Sequence, residues 1–285
     1  MELKALHAAL MGISAHRELL APLTGVAGMV SENSGPDVRV MENAERLLHF
    51  LKHGYGENAL DFYIRLFHSL RLAGCEGLGD WLWDFLRYNE TLYSRLIDQG
   101  KSDPALENAA RRDIETLVLL AETDCDRFID AMKPLLGNEY ATVLAGLPRW
   151  RAAAPFDFDS VTQFYKDHGA GQFAKYRAFL WEDGQLIPVA DPDCPHPEEL
   201  LGYEYQRSMV EQNTRLMMAG RLANNVLLFG DGGTGKSATV KSMLYLPGME
   251  DLRLIEVEKE NLTGMPGLIR SLAGRRQKFI LFIDD

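Results

Sequence analysis

Cysteine is scarce in this 285-residue chain. Its three thiols, Cys75, Cys125 and Cys194, lie far apart with no CxxC or other ligand spacing, which excludes a disulfide framework and a cysteine-built zinc site. Positive charge is also in deficit: 30 Lys and Arg stand against 41 Asp and Glu, a net of -11. A field of that sign repels polyanions, and the one local basic group is Arg275, Arg276 and Lys278, so nothing points to nucleic acid. No apolar run approaches the roughly 18 to 20 residues of a membrane-spanning helix. The opening MELKALHAALMGIS lacks the small-residue cleavage pattern of an export signal and reads as an amphipathic helix. These absences describe a cytoplasmic protein with reduced thiols and no membrane segment. Its apolar share, 46%, and charged share, 25%, are ordinary for a globular chain with a sizeable core.

The length suggests about two domains, and the pattern along the chain divides accordingly. Residues 1–153 are expected to form an all-α N-terminal domain, because apolar residues recur three and four apart between short Gly, Asn and Asp breaks. The clearest helix begins at Asp103, a capping residue followed by Pro104. Leu106, Ala110, Ile114, Leu117, Val118 and Ala121 then share one face. Six or seven such helices fit before Pro148, as a bundle or a small helical array. At RAAAPFDFDS the helical period stops, and residues 154–195 read as a connector in which 176–181 and 186–189 form a hairpin around Asp183 and Gly184. The proline-rich DPDCPHP closes it. Residues 196–285 then alternate: helix 198–220, strand 225–229, helix 236–246, strand 253–257, a short helix from about 266 to 273, and strand 279–283. Such alternation predicts an α/β domain with a parallel sheet.

Between strand 225–229 and the helix after it lies GDGGTGKS, residues 230–237. Gly230, Gly235, Lys236 and Ser237 satisfy GxxxxGK[ST], with Gly232 and Gly233 inside the loop. By average residue frequencies the bare pattern arises by chance in roughly one chain of this length in a hundred, and the flanking strand and helix lower that chance. Glycines let the backbone curl around an anion with its amides inward, and the following helix adds its positive end. The expected phosphate-binding set is Gly230, Asp231, Gly232, Gly233, Thr234, Gly235, Lys236, Ser237 and Ala238. Lys236 sets its ammonium against the β and γ phosphates, and Ser237 offers its hydroxyl to magnesium. ATP with Mg2+ is the expected ligand. The run FILFIDD supplies the second half of such a site. Phe279 to Ile283 suits a strand covered on both faces, and Asp284 emerges at its carboxyl end as a Walker B aspartate that holds, through water, the magnesium to which Ser237 offers its hydroxyl. Asp285 follows where a carboxylate orients or deprotonates attacking water, although its side chain is one methylene shorter than glutamate. Lys236 and Asp285 are thus the expected catalytic pair.

Four stretches, LLGYEYQR, NNVLLFGDGGTGKS, LRLIEVEKENL and FILFIDD, resemble the AAA+ ATPase superfamily, and more closely an uncharacterised bacterial family of predicted AAA+ ATPases. They span about the last ninety residues, and HGAGQFAKYRAFLW also resembles the narrower family. The resemblance implies an α/β P-loop NTPase fold with an incomplete parallel sheet. It places Leu201, Gly202 and Tyr203 beside adenine, and implies a homo-oligomer whose helical domain recruits a protein partner. It further implies a fourth strand between the first and third, γ-phosphate sensors, an arginine supplied across a ring interface and a helical lid, all beyond residue 285. On that basis the chain reads as a fragment that hydrolyses ATP poorly by itself. Two departures stand out. Asp285 occupies the place where most members carry glutamate, and no aromatic residue occurs between Tyr245 and Phe279, where protein-threading members place one. The second departure favours a switch or loader over an unfolding motor.

Two functional readings stay open: a magnesium-dependent ATPase acting as a switch or remodeller of a macromolecular partner, and a nucleotide-binding interaction module without turnover. A small-molecule kinase ranks below both, since neither an acceptor pocket nor lid arginines are visible. Other conspicuous residues have plain readings. Trp81, Trp83, Phe85 and Leu86 suit a packed core or a domain contact. His168 beside Gly169 suits a turn, and Cys194 with His196 lacks further ligands. His49 and His53, four apart on a helix face, suit a metal geometrically. Without an accompanying carboxylate or cysteine motif they read as a surface or half-buried pair.

Overall fold

A computed structural model describes residues 2–14, 16 and 36–284. By its contacts the chain divides into two units, Met1–Asp167 and His168–Asp285.

Among its described residues the first unit is helical: α1 (Leu3–Met11), α2 (Pro36–His53), α3 (Gly56–Leu72), α4 (Leu78–Tyr88), α5 (Leu92–Asp98), α6 (Pro104–Ala121), α7 (Cys125–Met132), α8 (Ala141–Ala145) and α9 (Phe158–His168), which ends at the division. The capping reading at Asp103 holds. Its carboxylate accepts from the amides of Ala105 and Leu106 at 2.9 and 3.2 Å, satisfying two donors that the helix itself leaves open. Ala110, Ile114, Leu117 and Ala121 are buried, and Leu106 and Val118 half-buried, as one apolar stripe. The aromatic run belongs to the core: Trp81 stacks on Phe85 at 4.7 Å between ring centres, and Leu86 is fully buried. Where helical periodicity stops, the chain runs as an extended strap. The Tyr63 hydroxyl donates to the Pro148 carbonyl at 2.7 Å, and Cys125 receives the Trp150 amide at 3.2 Å.

The second unit is a small mixed sheet with helices on both faces. Its strands are β1 (Ala178–Glu182), β2 (Gln185–Val189), β3 (Leu252–Val257) and β4 (Lys278–Ile283), in the order β2-β1-β3-β4. The β1–β2 pair is antiparallel, while β1–β3 and β3–β4 are parallel. Asp183 and Gly184 make the two-residue turn with φ of 48° and 76°, as such hairpins require. Strand alternation then sorts the side chains. Ala178, Leu252, Leu254, Ile280 and Phe282 face one core, with α11 (Glu204–Met218) and α12 (Lys236–Ser242) against it. Phe179, Trp181, Ile255, Val257 and Leu281 face the other, with α10 (Gln172–Lys175) and α13 (Met265–Leu272).

Three sequence expectations change. The hairpin assigned to a connector is the edge of this sheet, because its partner β3 is distant in sequence. The sheet is therefore mixed rather than wholly parallel. Most informative is 225–229, expected as a strand: it is irregular and takes no place in the sheet. Leu227 and Phe229 are 84% and 89% exposed, while Leu228 alone of the run packs on the core. Strand propensity is realised through pairing and packing, and this run has neither a ladder nor a covered face. No helix among the described residues is long and apolar enough to cross a membrane.

Candidate functional site

GDGGTGKS leads from the irregular 223–229 stretch into α12. Gly230, Gly233 and Gly235 have φ of 145°, 77° and 80°, a region costly for residues with a β-carbon. Around Gly233 and Gly235 an added β-carbon would meet nothing within 4 Å. Backbone conformation, not crowding, is what demands glycine there. The loop closes on itself through side chains: Thr234 Oγ1 donates to the Asp231 carbonyl at 2.9 Å, and Lys236 Nζ donates to the carbonyls of Gly230 and Asp231, both at 2.9 Å. Thr239 Oγ1 returns to the Gly235 carbonyl at 2.8 Å.

Lys236, Ser237 and Ala238 form the first turn of α12, which runs on as a 3-10 turn over Met243–Tyr245. Val240, Met243 and Leu244 pack under the sheet, and Lys241 pairs with Glu256 of β3 at 3.0 Å. That anchorage sets where Ser237 stands. Its hydroxyl donates to Asp284 Oδ1 at 3.1 Å, just past the end of β4. Two oxygen-bearing side chains from separate parts of the sequence thus meet beyond the carboxyl end of β4, the half-buried neighbour of buried β3.

Other expected site residues stand apart from this pairing. Leu201, Gly202 and Tyr203 form a turn before α11, with Gly202 and Tyr203 in left-handed conformations; Leu201 is 91% exposed and Tyr203 55%. Asp285 lies outside the described residues. The expected helix 198–220 is shortened at its start, where a 3-10 turn, Pro197–Glu199, precedes that break.

Sequence reasoning missed the residues that hold the loop in place. Glu256 was passed over in EVEKENL, although a carboxylate on a central strand signals a partner. Asn213 of α11 clasps Asn224 by two hydrogen bonds, ahead of the loop, with no motif to announce it.

An α/β unit with helices on both faces of a small mixed sheet therefore carries the glycine-rich loop and the Ser237–Asp284 pair. Residues 174–285, covering that sheet and loop, match a family described as a protein of unknown function (DUF815). No curated protein and no solved structure matches the chain.

Proposed function

We propose that the second unit binds ATP with magnesium at Gly230–Ser237 and that the protein uses the nucleotide as a magnesium-dependent ATPase switch acting on a macromolecular partner. The observation that carries this reading is the 3.1 Å contact between Ser237 Oγ and Asp284 Oδ1. Both are hard oxygen donors. Adjacent ligands of an octahedral magnesium at 2.0–2.1 Å from the ion stand roughly 2.9 Å apart, so the pair suits that ion with little movement. Lys236 adds a fixed positive charge at the loop, where a phosphate oxygen would replace the Gly230 and Asp231 carbonyls as acceptor. Bound Mg2+ supplies charge neutralisation between phosphate oxygens; the chain's own part is to hold and orient them.

The test is titration of the whole chain with a fluorescent ATP analogue. Saturable, magnesium-enhanced binding is expected, abolished by Lys236→Ala and reduced by Asp284→Asn. Wild-type binding no tighter than that of Lys236→Ala would overturn the proposal. A second reading, binding without turnover, is favoured by Asp285, which stands where the resembled superfamily carries glutamate. Magnesium-dependent phosphate release that vanishes in Lys236→Ala selects the first reading, and nucleotide binding without release selects the second.

A further inference from the structure

Three potential ligands converge where α1 meets α2. His7 comes from α1, and Glu45 and His49 from successive turns of α2, so that their donor atoms all lie within 4.8 Å of one another. His7 is 5% exposed, yet among the described residues neither of its ring nitrogens has a hydrogen-bond partner. Its Nε2 lies 3.7 Å from Glu45 Oε1, beyond hydrogen-bond length. Buried polar nitrogens are almost always bonded, and an unbonded one calls for a physical reason. The His49 ring centre lies 5.7 Å from that of His7 and 4.6 Å from that of His53. His49, which reads from sequence as lacking a carboxylate partner, has one in Glu45.

We propose that His7, Glu45 and His49 bind one zinc ion, with water completing a tetrahedron, and that the ion clips α1 to α2. Two imidazole nitrogens and one carboxylate oxygen form a borderline donor set that suits zinc and disfavours magnesium or calcium. Ligand atoms around tetrahedral zinc stand roughly 3.3 Å apart, so from separations of up to 4.8 Å side-chain rotations closing at most about 1.5 Å complete the site. The charges of Arg46 and Lys52 oppose a cation here, and the carboxylates of Glu45 and Glu42 offset them. The deciding feature is the buried imidazole of His7, whose lone pair the ion would engage. Because a metal bound only by the folded arrangement adds its binding energy to folding, the clip would stabilise the helical unit.

The experiment uses the untagged full chain, stripped by a chelator and titrated with Co2+ as a visible reporter, then with Zn2+. One Co2+ per chain with the absorption of a tetrahedral site is expected, displaced by one equivalent of Zn2+, with a zinc-dependent rise in the unfolding midpoint. Glu45→Gln and His49→Ala alter half-buried positions and should stay helical by circular dichroism while losing on the order of 100-fold or more in affinity. His7→Asn tests the buried ligand directly, and if it fails to fold the other two variants decide. Lys236→Ala should leave the cobalt spectrum unchanged, separating this site from the nucleotide site. Absence of a cobalt spectrum in the wild type, or the same spectrum in Glu45→Gln and His49→Ala, overturns the proposal.

Discussion

Asn213 and Asn224 clasp each other in both directions: Asn213 Nδ2 donates to the Asn224 carbonyl at 2.8 Å, and Asn213 Oδ1 accepts from the Asn224 amide at 2.9 Å. The clasp pins the stretch ahead of the glycine-rich loop to α11, where no sheet ladder holds it. Asn213→Ala removes both bonds, worth together about 1 kcal/mol net, which corresponds to roughly fivefold more frequent local opening. Chymotrypsin should therefore cleave at Leu227 and Phe229, already largely exposed, about fivefold faster than in the wild type. The midpoint of global unfolding should hardly move. Unchanged cleavage would mean that the clasp restrains nothing.

What was legible in the sequence was what depends on near neighbours. Asp103 caps because its own side chain reaches amides two and three residues on. Residues 279–283 read as a strand because a short, continuous apolar run bounded by polar residues suits a strand with both faces covered, and β4 forms there. NVLLF reads identically whether or not another strand lies beside it, so its pairing was not decidable locally, and here it remains unpaired. The same limit hid the place of the hairpin, whose partner β3 lies far along the chain. At the candidate site, spacing singled out GDGGTGKS and Asp284 by residue type. The acceptors of Lys236, the clasp at Asn213 and the approach of His7 to Glu45 and His49 are meetings between elements, which no local pattern encodes.

Gly79 presents two opposed effects whose magnitudes decide the outcome. It sits in the first turn of α4, where replacing glycine by alanine ordinarily stabilises a helix by about 1 kcal/mol. A β-carbon here, however, would stand 1.7 Å from the Ala153 carbonyl oxygen and 2.8 Å from its carbon. These are backbone atoms of the strap, so they have no rotamer by which to yield. Displacing the strap costs about 1–3 kcal/mol and more where a carbonyl is involved. Gly79→Ala should thus destabilise the first unit by about 2 kcal/mol, read as a lower midpoint in urea. Gly184→Ala provides the contrast: nothing crowds it, and its cost should come from its positive φ alone.

Asp113 predicts a pH dependence. Its carboxylate is buried on α6 and accepts from the amides of Ser14 and His16 at 3.2 and 3.0 Å, and lies 3.2 Å from His16 Nδ1. Burial pushes the carboxyl upward, but the bonds from His16 and Ser14 together outweigh it and hold the pKa below the ordinary 3.8. A depressed folded value means that the unfolded chain takes up the proton first. The contribution is therefore full above about pH 4 and is lost as pH falls through the folded value. Asp113→Asn should cost about 1–2 kcal/mol near neutrality. The gap between variant and wild type should shrink progressively below about pH 4. A gap that stays constant down to acid unfolding would show that the carboxylate's charge contributes nothing.

Arg253 should show a pH dependence of the same sign as that of Asp113, but in an alkaline window. It is 5% exposed at the start of β3, where Nε donates to the Phe173 carbonyl at 2.6 Å and Nη1 to those of Glu250 and Leu252 at 2.7 and 2.9 Å. Burial, and then repulsion from Arg177, push its pKa down to about 10, so the guanidinium remains charged at neutral pH. The fork joins α10 to the start of β3 by donating to three backbone carbonyls. Arg253→Met keeps much of the volume and removes the cost of burying a charge, yet it strips three acceptors of their partner. At about 1–3 kcal/mol for each unsatisfied group, partly recovered by water and by the relief of desolvation, the net loss should be about 3 kcal/mol. Because the folded pKa lies near 10, this loss should be flat between pH 6 and 8, where the Asp113 contribution is flat as well, and should change only above about pH 10. Hydrogen exchange at the β3 amides is the direct measure, since it reports the second unit without interference from the helical one. Exchange as slow in Arg253→Met as in the wild type would show that desolvating the guanidinium cancels everything its hydrogen bonds contribute.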